Sequence, residues 1–182
     1  RAGAATPSRP PCETVVLDAG QGGKDSVAVR RYSPAEKTLA LDVTLRLNRK
    51  LQESQLHTVL TRANDTFIPL DDRVARGNAE KNSIFVSIHF NDSRRRGVRG
   101  FETYYHSPYA YDLASAIEQQ LNSLPNAGNR GVHEARYRVI RHANYPTVLV
   151  ACGHLSTPGQ GAGVGCRPSA RRPAAKHPAA PP

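Results

Sequence analysis

A chain of 182 residues, 38% of them hydrophobic, can bury one sizeable core but is short for two. Its net charge of +10 suggests nucleic acid at first sight. Six of the basic residues (Arg1, Arg9, Arg167, Arg171, Arg172 and Lys176) fall in acid-free ends, however, which leaves only +4 for the remainder. No run approaches the roughly 18 apolar residues of a membrane helix, no secretory leader is visible, and three cysteines without a CxxC pair form no disulfide framework.

Residues 1–12 lack large apolar side chains, as do residues 161–182, which are mainly Gly, Ala, Pro and Arg. Both tails are expected to be disordered, because neither can bury enough surface to offset its ordering entropy. The folded unit is expected over 13–160. TVVLDA at 14–19 reads as a buried strand ending at Gly20. Ser33 and Pro34 then start a helix over 33–54, with Leu39, Leu41, Val43, Leu45, Leu47 and Leu51 at mainly helical spacing. HTVLT at 57–61 is a second strand, and 70–81 is a helix with Leu70, Val74 and Ala75 on one side. SIFVSIH at 83–89 is a third strand, apolar almost throughout as in a sheet covered on both faces. Arg94, Arg95, Arg96 and Arg99 read as a solvated loop able to meet a polyanion. A fourth strand is expected at 100–105, a helix at 109–124, a strand at 137–140, and an all-apolar strand at 147–152 in which Cys152 is a small core residue. This alternation predicts a single α/β domain, a largely parallel twisted sheet with helices on both faces.

Ligands in such folds gather beyond the carboxyl ends of the strands. There the chain places Gly20-Gln21-Gly22-Gly23-Lys24-Asp25, the His89-Phe90-Asn91 end of the third strand, and Ala151-Cys152-Gly153-His154, with Glu36 early in the first helix. The loop is not a phosphate-binding loop, since Asp18 and Asp25 stand where that pattern needs glycine and Ser or Thr. Nor is it a dinucleotide fingerprint, because about a dozen residues separate it from its helix. His89, flanked by Ser87 and Asn91, is the strongest single candidate for chemistry.

Six blocks then follow one another in a specific order: VVLDAGQGGKDS at 15–26, EKTLALDVTLRLNRKL at 36–51, VLTRANDTFIPLDDRVARGN at 59–78, FVSIHFND at 85–92, RGVHEARYRVIRHANYPTVLV at 130–150, and the Gly-x-Leu-Ser turn at 153–156. Together they resemble the zinc-dependent N-acetylmuramoyl-L-alanine amidases over roughly 14–158. The resemblance implies hydrolysis of the amide between N-acetylmuramic acid and L-alanine in peptidoglycan. The water would be activated by Zn2+ held by histidine, glutamate and histidine, and a separate glutamate on the last strand would be the general base. Carried over by position, Glu36 is the carboxylate ligand, His89 the second histidine and Asn91 a substrate contact. Gln21 stands in place of the first histidine and Ala151 in place of the general base.

A neutral amide is a weak ligand beside imidazole, and alanine moves no proton, so the resemblance implies an impaired enzyme. His154, Glu102, Glu134 and His133 are conceivable replacements, but His154 is expected in a turn and the others as surface or sheet-edge polar groups. Val27, His154 and Thr157 also depart from the family pattern, and the tail occupies the place of the family's terminal helix. A monomer with an apolar sheet face left open, and so prone to associate, is the expectation. Implied partners are peptidoglycan and muropeptides rather than nucleic acid, and the implied location is periplasmic or extracellular. An inactive homologue that binds peptidoglycan or a partner, and a defective gene product, stand as the alternatives.

Overall fold

The computed structural model describes residues 12–25, 36–91, 98–125 and 128–154. The expected tails apart from Cys12, the 94–96 arginine run, Val27 and Thr157 lie outside them. Six strands form one sheet: β1 (Thr14–Ala19), β2 (His57–Leu60), β3 (Ser83–Asn91), β4 (Phe101–Tyr105), β5 (Asn129–Glu134) and β6 (Thr147–His154), in the order β2-β1-β3-β6-β4-β5. All neighbouring pairs are parallel except β4 and β6, which run antiparallel. The helices are α1 (Glu36–Glu53), α2 (Leu70–Ala79), α3 (Tyr111–Asn122), entered through a 3-10 turn at Pro108–Ala110, and α4 (Arg138–Arg141).

Alternation along the strands divides the apolar residues between two layers. Val15, Leu17, Val86, Ile88, Val148, Val150 and Cys152 pack with Leu39 and Ala40 of α1 and Ala114 of α3. Leu149 faces the other way, into a smaller cluster with Val139 and Ile140 of α4 and Val74 of α2. Helices thus cover both faces. The α1 stripe of Leu39, Ala40, Val43, Leu47 and Leu51 lies at helical spacing on the larger core. No glycine or proline interrupts this helix, and it closes at Gln55, with φ of 62° and the Leu56 N–H on the Leu51 carbonyl at 3.0 Å.

Three expectations are corrected. Residues 137–140 are not a strand: Tyr137 precedes α4, which buries Val139 and Ile140 on one side, and the strand of this region is β5, which comes earlier in the chain and pairs with β4. The expected open apolar face is not found in the described residues, because β6 is buried at all eight positions and Val148, Val150 and Cys152 share one core with α1 and α3. Finally, β6 runs through Gly153, whose φ of 125° suits glycine, so His154 is a buried strand residue in register with Asn91 and not part of a turn.

Candidate active site

The carboxyl ends of β1, β3 and β6 and the start of the reversed strand β4 meet at one edge of the sheet, around a cleft of about 410 Å³. Gln21, Glu36, His89, Asn91, Tyr104 and Arg138 are among the residues lining it. His89 leaves the end of β3 and lies over Gly20. A β-carbon at Gly20 would fall 2.4–2.7 Å from three atoms of the imidazole, so only glycine lets the ring occupy this place. Glu36, buried at the start of α1, accepts a hydrogen bond from the Phe90 N–H at 3.2 Å, and its Oε1 lies 2.9 Å from His89 Nδ1. The helix start and the strand end therefore bring the two predicted ligands together.

The glycine-rich loop is held from behind by two arginines almost wholly removed from water. Arg62 donates to the carbonyls of Ala19 (2.9 Å), Gly20 (2.8 Å) and Lys37 (2.9 Å). Arg73 donates to those of Ala19 (2.7 Å) and Gln21 (2.6 Å), and pairs with the Asp18 carboxylate at 2.7 Å. Thr61 and Ser87 hydroxyls complete the shell of Asp18, each at 2.6 Å. Burial and the nearby Arg73 pull the Arg62 guanidinium below its usual value, with Asp18 and Asp65 opposing them. At the outer side of the loop, Lys37 binds the Gly23 carbonyl and Asp65, whose carboxyl this contact and the Gly23 N–H hold below the usual carboxylate range.

Gln21 lines the cleft, with φ of 56°, but its amide is turned to its own loop. With its nitrogen facing the Asp25 carboxylate, it donates at 2.8 and 2.7 Å. Ala151 is in register with His89 on β3 and with Glu102 on β4, so the three form a row on the cleft face. The zinc implied by the resemblance therefore does not fit this donor set. Glu36 and His89 bond to each other, the third position offers an amide already engaged by Asp25, and no group of three His, Cys, Asp or Glu residues among the described residues could hold a metal ion. A set of three protein ligands is the usual complement of a catalytic zinc.

Two further placements matter. Glu102, expected at the surface, is 5% exposed and accepts from Asn91 Nδ2 at 3.1 Å, from the Tyr104 hydroxyl and from Arg130 Nε. Its strand is interior to the sheet, between β6 and β5, which explains the burial. His133 and Glu134 are exposed on the edge strand β5, as expected. Cys152 is no nucleophile: burial first, and then the nearby Glu118, push its thiol up to about 12.

The sequence reading missed Asp18, Arg62, Arg73, Tyr104 and the role of Glu102. Asp18 carried a signal, a charge inside an otherwise apolar strand, which has to be paired if buried. The arginines carried none, because the loop carbonyls they hold lie over 40 residues away in sequence.

The family model described as N-acetylmuramoyl-L-alanine amidase matches residues 15–163. The chain is 38% identical to the uncharacterized protein YqiI of Bacillus subtilis, over 79% of this chain and 71% of YqiI. It is 37% identical to the N-acetylmuramoyl-L-alanine amidase LytC of the same organism, again over 79% of this chain but only 30% of LytC. Among solved structures, the N-acetylmuramoyl-L-alanine amidase AmiC2 of Nostoc punctiforme superposes with a TM-score of 0.79 at 33% identity, covering 85% of this chain and 86% of that one. The mostly parallel six-stranded sheet, the cleft at its carboxyl edge and these likenesses together place the chain in the N-acetylmuramoyl-L-alanine amidase family of peptidoglycan hydrolases.

Proposed function

We propose that this chain recognises the muramoyl-peptide junction of peptidoglycan in the cleft between the glycine-rich loop and β4, and hydrolyses it weakly or not at all. The observation that carries the reading is the row His89–Ala151–Glu102. The cleft, the Glu36–His89 pair and the loop scaffold are intact, while the position beside His89 that should move a proton holds a methyl group. General acid–base catalysis contributes typically about 10²–10⁴-fold, and the Gln21 amide, turned toward Asp25, adds a second deficit at the same step. Losses within one catalytic unit do not multiply. The place of work is the cell wall, periplasmic or extracellular, because that is where this polymer lies.

The test pairs retention with turnover. The chain should be retained by purified sacculi and release no stem peptide from muropeptides. The Gln21→His, Ala151→Glu double variant should take up zinc after dialysis and release stem peptide at least about 100-fold faster, in a chelator-sensitive way. Wild-type release as fast as that of a zinc-loaded double variant would defeat the claim of impaired hydrolysis. Equal retention on sacculi and on a neutral polysaccharide would defeat the claim of recognition.

A further inference from the structure

Glu102 is a buried carboxylate beside the cleft that the hydrolytic scheme does not use. It sits near the start of β4, opposite Ala151, two strands away from His89 on the same face. The methyl group of Ala151 leaves the middle of that row low. Asn91, two residues past His89 on the same strand and opposite an extra residue in β6, reaches across to Glu102 Oε2 at 3.1 Å. The Tyr104 hydroxyl donates to the same oxygen, and Arg130 donates to Oε1 from a side chain 43% exposed, which neutralises the buried charge from the solvent side.

An ionised carboxylate only accepts hydrogen bonds. Its neighbours therefore have no choice of orientation: Asn91 must turn Nδ2 toward Glu102, and Tyr104 must turn its O–H there. Burial and the adjacent Tyr137 raise the Tyr104 pKa, so the hydroxyl keeps its proton. Asn91 keeps one further N–H, which together with Tyr137 engages the Tyr104 hydroxyl, so the acceptor left for a ligand is Asn91 Oδ1, and both residues line the cleft. With a neutral side chain at 102, the Asn91 amide could flip and the tyrosine proton could swing outward. The polarity of this wall would then be undefined.

We propose that Glu102 is a positioning residue that frees Asn91 Oδ1 as the acceptor for an amide N–H of the wall ligand beside His89. The inference rests on the peptidoglycan reading above and adds the polarity of the recognition: an N–H donor, peptide or acetamido, is selected over its N-alkylated counterpart. Discrimination follows because an alkylated ligand leaves the fixed acceptor unpaired in a partly desolvated cleft.

Calorimetric titration of the full chain with muramyl dipeptide, and with analogues each N-methylated at one amide, tests this. One methylated analogue should bind wild type about tenfold more weakly than the parent, the effect of one lost hydrogen bond. In Glu102→Gln that ratio should fall below about threefold while thermal unfolding stays close to wild type. Asn91→Asp alone sets two carboxylates together and should weaken binding. The swapped pair, Asn91→Asp with Glu102→Gln, restores a donor–acceptor contact with an acceptor still turned to the cleft, and should recover the discrimination. Glu102→Gln that keeps the full ratio overturns the proposal, as does a wild type that retains sacculi yet treats all analogues alike. A wild type that binds neither sacculi nor the parent dipeptide brings down the peptidoglycan reading first and this inference with it.

Discussion

The two walls of the cleft are built differently. On the β1 side, Arg62 and Arg73 grip the carbonyls of residues 19–21, so the loop path is set by backbone contacts that do not consult the side chain at position 21. On the β6–β4 side, shape is set by side chains alone: Ala151, Asn91, Tyr104 and Glu102. The first wall keeps its form whatever side chain stands at position 21. The second changes character with every substitution. Scaffold and chemistry are separable in this fold because different bonds hold them.

That contrast can be broken most forcibly at Arg73. Arg73→Ala strips the charged partner from a carboxylate that is 0% exposed and frees the Gln21 carbonyl, while that of Ala19 keeps only Arg62. Leaving a buried charge uncompensated costs about 3–5 kcal/mol, so urea unfolding should show a loss of that order. A loss comparable with an ordinary surface substitution would mean that the loop is not held from behind.

Next in size is Gly20→Ala. The added carbon meets the His89 ring at 2.4–2.7 Å and displaces the imidazole from Glu36. Overpacking of this kind costs about 1–3 kcal/mol. Imidazole nitrogen resonances should lose the signature of the Glu36 contact, while the shifts of residues 62 and 73 stay in place. Movement of both sets would merge the two walls into one unit.

The smallest effect is expected at the exposed pair Asp71–Arg138 on the rim of the cleft, which ties α2 to α4 at 2.5 and 2.8 Å. Arg138 holds the Asp71 carboxyl below its usual range. A carboxyl whose folded pKa is depressed adds stability above its unfolded pKa and loses that contribution as pH falls through the folded one. Asp71→Asn should therefore shift the urea midpoint slightly at pH 7, less in high salt, and not at all once wild type is protonated at low pH. A shift that persists in acid would point to packing and not charge.

The legible parts of the molecule were those in which local pattern and tertiary role agree. β1, β3, β6 and α1 were readable because uninterrupted apolar runs and helical spacing translate directly into burial. β5 was not, since Asn129–Glu134 contains one apolar side chain, Val132, and exists because β4 offers it backbone partners. The apolar pair Val139–Ile140 was misread for the converse reason: four residues cannot display a period. Gln21, Glu36 and His89 could be placed from the blocks they sit in and Ala151 from the block it directly follows, and all four border one edge of the sheet. Glu102 could not, because a charge near a strand start looks solvated until the strand is known to be flanked on both sides. The reversal of β4, which brings its first residues to the cleft edge, is a property of the whole sheet and of no segment in it.

The irregularities in strand pairing have a practical corollary. The ladder slips between His89 and Asn91 against β6, and again between Phe101 and Thr103 against β5. Each is a local phase correction, and they bracket the row that ends in Glu102. A side chain in a strand changes face with every one-residue shift, and an extra residue re-aims the side chains beyond it. Anyone transplanting this recognition surface onto an idealised sheet, with every rung regular, would move Asn91 out of step with Glu102 while copying each amino acid faithfully. The defects would have to travel with the graft.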